Sequence, residues 1–101
     1  MKAIVINPWF RSIGYAEHDG SLENLYWLMT CPIADVVDIV EVALMFRNGD
    51  ALYVDEEALF KNDRHSFIIA DRRLIGMGVI LGTDHDGDCK TMLTDLEVSF
   101  I

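Results

Sequence analysis

The sequence has few of the residues that mark secreted, membrane-spanning or nucleic-acid-binding proteins. Its two cysteines, Cys31 and Cys89, lack the close spacing of a metal or redox motif. No apolar run reaches the about 18 residues that a membrane-spanning helix needs, and the run Ala3–Ile6 is too short for an export signal. We therefore expect a cytoplasmic protein whose thiols stay reduced.

Basic residues are scarce as well. Eight Lys and Arg stand against 17 Asp and Glu, which gives a formal net charge of −9. Such a surface repels phosphate backbones and anionic membranes, so direct nucleic-acid or membrane binding is disfavoured. It suits a protein partner with a basic surface, or a surface that imitates nucleic acid, and it also serves solubility alone.

Apolar residues are plentiful, at 51% of the chain, and aromatic residues run from Trp9 to Phe100. This supply is sufficient for a core without disulfide or metal cross-links, and it excludes intrinsic disorder. At 101 residues the chain has the size of one domain, so we predict a single domain over residues 1–101.

The first third of the chain carries the clearest local signals. Lys2–Ile6 is β-branched and apolar, and Ser12–Glu17 alternates, so both are predicted strands joined by a turn. Ser21 is a helix N-cap, and apolar residues from Leu22 to Met29 follow at helical spacing. The pair Cys31-Pro32 should end this helix.

The rest of the chain predicts short strands. The segment 36–46 should be a strand, Arg47–Asp50 a tight primed turn around Asn-Gly, and 51–54 the returning strand. Further expected elements are a capped helical turn at 55–60, a strand at 67–70, an exposed turn at 71–73, a strand at 76–83, a hairpin tip at 84–88, its return at 90–93 and a closing turn at 94–98. Glycines alternate along the 76–83 strand, which predicts close approach of a backbone or a ring at Gly76, Gly78 and Gly82.

This order predicts an α+β fold. We expect a small mixed sheet with one main helix packed on a face, in a β-grasp-like strand-strand-helix-strand-strand order with an added C-terminal hairpin. No repeat, linker or low-complexity segment interrupts it.

Two acidic clusters and one aromatic turn are candidates for partner binding. Alone, an acidic cluster is as well explained by helix capping or by solubility. Trp9-Phe10-Arg11 combines residue types that favour interfaces, although such a turn can also fold over its own core. The predicted partner-binding residues are Asp55, Glu56, Glu57, Asp84, Asp86, Asp88 and Trp9.

Two alternatives stay open. Arg64, Arg72 and Arg73 are the main basic concentration and could clamp a small anion such as a nucleotide phosphate. The run Asp84–Asp88, with Asp95 in the twelfth place, resembles a calcium-binding loop in the spacing of its carboxylates. Cys89 stands where that loop needs glycine, so an acidic turn is the simpler interpretation. No nucleophile, general base or phosphate loop is recognisable, and we predict a protein that is not an enzyme and needs no cofactor.

Several stretches together resemble a family of short proteins, common in phages and mobile elements, that is classed as a domain of unknown function. The resemblance lies in the opening Met1–Ile6, Asp19–Leu25, Leu52–Glu57 with Asn62 and Arg64, and Gly76–Asp84 with Gly87 and Leu93–Asp95. Cys31-Pro32 departs from the family, which has Gly-Gly after the first helix. The resemblance implies a phage or prophage accessory protein in a bacterial cytoplasm, and it carries over no catalytic residue. Our leading hypothesis is a non-enzymatic binding protein that engages a host protein through an acidic face.

Overall fold

The computed structural model describes residues 1–30, 40–56, 58, 65–84 and 86–101. Within them the chain forms strands, one α-helix and a 3₁₀ turn, so the predicted α+β class is confirmed. The elements are β1 (Lys2–Asn7), β2 (Ser12–Glu17), α1 (Leu22–Thr30), β3 (Val40–Met45), β4 (Ala51–Asp55), β5 (Ser66–Ile69), β6 (Arg72–Ile75), β7 (Gly78–Leu81), the 3₁₀ turn (Leu93–Asp95) and β8 (Val98–Phe100).

The N-terminal hairpin and the helix form as their local sequence predicts. β1 and β2 pair antiparallel from Lys2 opposite Glu17 to Asn7 opposite Ser12. The helix is capped by the Ser21 hydroxyl, which accepts a hydrogen bond from the Asn24 amide at 3.0 Å. No helix in the described part of the chain is long and apolar enough to cross a lipid bilayer.

The strands form two sheets. The larger has five strands in the order β2-β1-β7-β4-β3, and the smaller has three in the order β6-β5-β8. All neighbouring strands of these two sheets, as far as the structure describes them, pair antiparallel. The prediction of a mixed sheet is therefore wrong, and the β-grasp-like order is not confirmed, because β1 meets β7 antiparallel.

The five-stranded sheet is covered on both faces. On one face, Leu25 and Met29 of α1 pack with Ala3 and Val79. On the other face, the second sheet packs its inner side chains against the first, in a cluster that contains Ile4, Ile6, Leu52, Val54, Phe67, Ile69 and Ile80. Because successive side chains of a strand point to opposite faces, alternate residues of β1 and β7 belong to the two core layers. The helix therefore packs on one face of the sheet, as predicted.

Gly78 is required by the contact between the two sheets. A Cβ atom at this position would lie 2.8 Å from Cζ of Phe67 and 3.1 Å from Cδ1 of Leu52. A Cβ at Gly82 would overlap the backbone of Asp88. The expected close approach of a ring or a backbone is thus confirmed at these two glycines.

The predicted C-terminal hairpin is wrong. The segment Lys90–Met92 forms no strand, and β8 instead joins the second sheet, where Phe100 lies opposite Phe67. The reason is a long-range contact, because the amide of Cys89 donates to the carbonyl of Lys2 at 2.9 Å and draws the segment across the end of β1. Cys89 and Lys2 are 87 residues apart in the sequence, so a local sequence pattern cannot indicate this contact.

Two predicted turns also differ in detail. In the turn Arg47–Asp50, Gly49 has a positive φ of 95°, whereas Asn48 does not, so the turn is not the predicted primed type. The Gly49 amide donates to the Phe46 carbonyl at 3.1 Å, as in a type I turn that ends in a glycine bulge. The β5–β6 turn is Ala70-Asp71, so the exposed turn predicted at 71–73 contains the start of strand β6.

Three predictions fall wholly or partly on residues that are outside the described ranges. They are the first part of the 36–46 strand, half of the helical turn at 55–60 (residues 57, 59 and 60) and the helix end at Cys31-Pro32. Asp55 is the last residue of β4.

Candidate functional site

The five-stranded sheet has two ends that carry different side chains. Ile6 of β1 and Val54 of β4 both lie opposite Gly78, so their following residues share one end, which we call the Trp9 end. Ala51 lies opposite Leu81 at the other end, where Lys2 begins β1, and we call this the Lys2 end.

The structure divides the predicted acidic surface between these two ends. Asp55 and Glu56 lie at the Trp9 end, whereas Asp84, Asp86 and Asp88 follow β7 at the Lys2 end. The five residues of β4 separate the two groups by roughly 13 Å at ~3.3 Å per residue. The two clusters therefore do not form one continuous face, and Glu57 lies outside the described residues.

The three aspartates at the Lys2 end make contacts within the chain. Asp84 forms an ion pair with the ammonium of Lys90. Asp86 Oδ1 accepts from the Asp88 amide at 3.2 Å, and Asp88 Oδ1 accepts from the Lys2 amide at 2.7 Å. All three are exposed, so they shape this loop and still face solvent.

The Lys2 end also holds a fully buried carboxylate that the sequence did not indicate. Asp50 is 0% exposed and follows the β3–β4 turn. Its oxygens accept from the amides of Lys90 at 3.0 Å and Thr91 at 2.8 Å, from the Thr91 hydroxyl at 2.6 Å and from the Cys89 thiol at 3.3 Å. These donors join the turn to a segment about 40 residues further along the chain, and we call this group the Asp50 cluster.

The hydrogen bonds of the Asp50 cluster set its protonation states. Burial alone would raise the pKa of Asp50, but the bonds from Thr91 and Lys90 outweigh it and hold the pKa below its ordinary value. Burial, and secondarily the bond to Asp50, raises the pKa of the Cys89 thiol to about 11. At neutral pH an ionised carboxylate thus accepts from a protonated thiol, which makes the cluster a structural centre with an unreactive cysteine.

Asp50 escapes sequence analysis because Asp after Asn-Gly is an ordinary turn residue. One local signal is that Thr91, a hydroxyl donor, lies two residues after the thiol donor Cys89. This spacing has meaning only once the two segments are known to meet. No spacing rule relates residue 50 to residues 89–91.

The Trp9 end presents an ordered aromatic turn. The buried side chain of Asn7 accepts hydrogen bonds from the amides of Trp9 at 2.9 Å and Phe10 at 3.2 Å. Arg11 completes the turn in the left-handed region, with φ of 51°. Phe10 is 70% exposed, more than any other large hydrophobic residue in the part of the chain that the structure describes.

The side chains around this turn differ in accessibility. The Trp9 ring is half-buried and stacks on His65, with ring centroids 4.7 Å apart and planes inclined by 19°. Asp55 is 8% exposed, so its carboxylate offers little surface to a partner. Glu56 is exposed. Of the residues predicted at this end, Trp9 is a half-buried support and Glu56 an accessible charge, and the neighbouring Phe10 is the accessible aromatic.

The predicted arginine clamp is described only in part. Arg72 and Arg73 are successive residues of β6, so their side chains leave the strand on opposite faces. Arg72 donates to the carbonyl of Ala43, and Arg73 Nε donates to the Ser66 hydroxyl at 3.2 Å. Both line a cleft of about 220 Å³ whose walls also carry Glu41, Asp55 and Glu56, and Arg64 lies outside the described residues. These carboxylates oppose an anion in this cleft.

The predicted calcium loop is covered in part. Asp84, Asp86 and Asp88 bind Lys90 and the amides of Asp88 and Lys2, respectively. Asp95 is the last residue of the 3₁₀ turn, and His85 lies outside the described residues. Among the described residues, no three His, Cys, Asp or Glu side chains are grouped as metal ligands would be.

Comparison of the chain with protein-family models, with curated proteins and with solved structures finds no match. The resemblance to the phage family of unknown function therefore stays a prediction.

Proposed function

We propose that this chain is a non-enzymatic binding protein that engages a protein partner through its Trp9 end. The observation that carries the proposal is Phe10, a large apolar side chain that is 70% exposed on a turn whose backbone is fixed by Asn7. Aromatic side chains of this kind supply much of the free energy of binding at protein interfaces.

The order of the turn supports this proposal on energetic grounds. Association costs free energy when a loop must become ordered, and a pre-ordered loop avoids that cost. The Asn7 side chain holds two successive amides, and the Trp9 ring is supported by His65. A left-handed φ at Arg11 adds strain of about 1 kcal/mol, and such strain concentrates at functional turns.

The charge of the chain supports a partner with a basic surface. The net charge of −9 attracts such a partner over a distance, and Glu56 and Glu41 are exposed carboxylates beside the Trp9 end. The aspartates of the Lys2 end add to the long-range attraction and lie too far away to share a small contact with Phe10.

The biological setting of this proposal comes from the family resemblance alone. A phage or prophage accessory factor in a bacterial cytoplasm would take a host protein as its partner. The nucleotide-binding and calcium-binding alternatives receive no support from the described side chains.

Capture from bacterial lysate with matched baits tests the proposal. The parent chain and Trp27→Ala, which removes an aromatic that is 60% exposed on α1, should retain the same protein, and Phe10→Ala should lose it. With that protein purified, we expect Phe10→Ala to weaken binding at least tenfold, in keeping with about 2 kcal/mol at an interface hot spot. Equal capture by all three baits would contradict the role of the Trp9 end.

Reversing the charges at the Lys2 end distinguishes long-range electrostatic attraction of the partner from direct contact with it. In Asp84→Lys/Asp86→Lys/Asp88→Lys the association rate should fall, and the dissociation rate should stay close to that of the parent. A dissociation rate that rises as much as in Phe10→Ala would place the interface at the Lys2 end instead.

A further inference from the structure

Among the residues that the structure describes, β3 is an edge strand of the five-stranded sheet, and β4 is its partner in the sheet. Its surface is partly apolar, because Val42 is 46% exposed and Met45 is 58% exposed. An edge strand with apolar side chains is prone to pair with a strand of another molecule. Some feature must therefore limit such pairing if the protein is to stay dispersed.

The edge is interrupted at its centre. Val42 lies opposite Tyr53 and Leu44 lies opposite Leu52, so Ala43 is an extra residue without a partner in β4. Such a bulge bends a strand and breaks the regular row of backbone donors and acceptors. The carbonyl of Ala43 accepts a hydrogen bond from the guanidinium of Arg72, which reaches it from β6 of the second sheet.

We propose that Arg72 prevents β3 from pairing with β3 of a second copy of this chain. Antiparallel pairing about a two-fold axis between Ala43 and Leu44 would place Val42 opposite Met45 and Ala43 opposite Leu44, so that paired side chains lie on the same face of the sheet. No like charges of β3 would then oppose each other, and the exposed Val42 and Met45 side chains would contact each other. The same axis would bring the two Arg72 guanidinium groups close together, because each is bound to the Ala43 carbonyl beside the axis, and their repulsion and their occupation of the carbonyl oppose the pairing.

The turn before Arg72 fixes its position at this edge. Ala70 and Asp71 both adopt left-handed conformations, with φ of 49° and 62°, and Ile69 lies opposite Arg72 across the resulting two-residue turn. This turn sets the register of β6, which determines that Arg72, and not Arg73, reaches β3. Arg73 instead contacts Ser66 of β5, so it is a matched control that removes the same charge from the same strand.

Sedimentation equilibrium of Arg72→Ala, Arg73→Ala and the parent tests the proposal, with circular dichroism to verify folding. We expect self-association of Arg72→Ala to be at least tenfold stronger than that of the parent and Arg73→Ala to match the parent. If Arg72→Ala does not fold, Arg72→Gln replaces it, since glutamine keeps a donor for the Ala43 carbonyl and loses the charge. A folded Arg72 variant that associates no more than Arg73→Ala would overturn the proposal.

A second substitution identifies the surface through which the variant associates. Val42→Lys adds a charge to the exposed edge of β3, and in the Arg72→Ala background it should return self-association to the level of the parent. Association that persists in Val42→Lys/Arg72→Ala would overturn the proposal, because it would lie on another surface. This test does not involve Phe10, so its outcome is independent of the proposed partner binding.

Discussion

The two ends of the five-stranded sheet hold polar and aromatic groups in opposite ways. At the Lys2 end a buried carboxylate, Asp50, gathers donors from residues 89–91, and the surrounding aspartates cap backbone amides or pair with Lys90. At the Trp9 end a buried amide, Asn7, orders a turn that leaves Phe10 in solvent. The first arrangement stabilises the fold through buried hydrogen bonds, and the second leaves the Phe10 residue largely exposed to solvent.

This difference changes how the acidic composition is interpreted. Acidic loops alone suggested a binding face, but each aspartate of the 84–88 loop given above has a partner within the chain. The more informative residue is Phe10, because its exposed ring lies on a turn whose backbone is fixed by Asn7. The proposal therefore assigns stability to the Lys2 end and recognition to the Trp9 end.

The largest expected effect comes from Asp50→Asn. The amide cannot accept from all the donors that face the carboxylate, so the free energy of unfolding should fall by about 3 kcal/mol. Urea denaturation of Asp50→Asn beside Asp95→Asn, an exposed aspartate on the 3₁₀ turn, measures this. Asp95→Asn should stay within about 0.5 kcal/mol of the parent. Equal stabilities of the two variants would show that the Asp50 cluster does not hold the Lys2 end.

The pH dependence of stability sharpens the same point. Because the pKa of Asp50 in the folded chain lies below its ordinary value of 3.8, the ionised form stabilises the fold. This contribution is fully present above pH 3.8 and is lost as the pH falls through the lower pKa of the folded state. The difference in unfolding free energy between the parent and Asp50→Asn should therefore be constant near neutral pH and shrink in strong acid. If the difference in unfolding free energy between the two variants grew in acid, the pKa of Asp50 would be raised in the folded chain and not lowered.

An intermediate effect is expected at the boundary between the two sheets. A methyl group at Gly78→Ala would meet the Phe67 ring, and this overpacking should cost about 1–3 kcal/mol. Gly14→Ala is the control, since a Cβ there has no atom within 4 Å. Thermal or urea unfolding that ranks Gly14→Ala at or below Gly78→Ala in stability would contradict the packing described.

A smaller effect is expected at Asn7. Asn7→Ala removes the acceptor of the Trp9 and Phe10 amides and should lower the free energy of unfolding by about 1 kcal/mol. Asn7→Asp keeps an acceptor oxygen and should recover most of that loss. Amide hydrogen exchange at Trp9 and Phe10 reports the turn directly, and unchanged protection in Asn7→Ala would show that the turn is ordered by other contacts.

The sequence predicts those parts of the fold whose cause is local. Lys2–Ile6, Ser12–Glu17 and the Ser21-capped helix each contain their own signal in apolar period and capping residues. Strand β6 was missed because Arg72-Arg73 after an aspartate is typical of a turn, and β8 because its three residues are defined by pairing with β5. The C-terminal hairpin was predicted wrongly because the amides of residues 89–91 are held by Lys2 and Asp50, more than 30 residues away.

The candidate site was predicted in the same uneven way. Trp9-Phe10-Arg11 was found because aromatic and arginine residues in a turn have a local signature. That Trp9 is stacked on His65 while Phe10 is exposed depends on the second sheet and has no local cause. Arg72 and Arg73 are adjacent in sequence, and their separation onto two faces becomes evident only once β6 is a strand.

The most direct test of the account is a pair of measurements on Phe10→Ala, the free energy of unfolding and the affinity for the captured partner. Since Phe10 is 70% exposed, we predict unfolding within about 0.5 kcal/mol of the parent, together with at least tenfold weaker binding. Affinity equal to that of the parent, or a loss of stability as large as that of Asp50→Asn, would contradict the division of roles between the two ends.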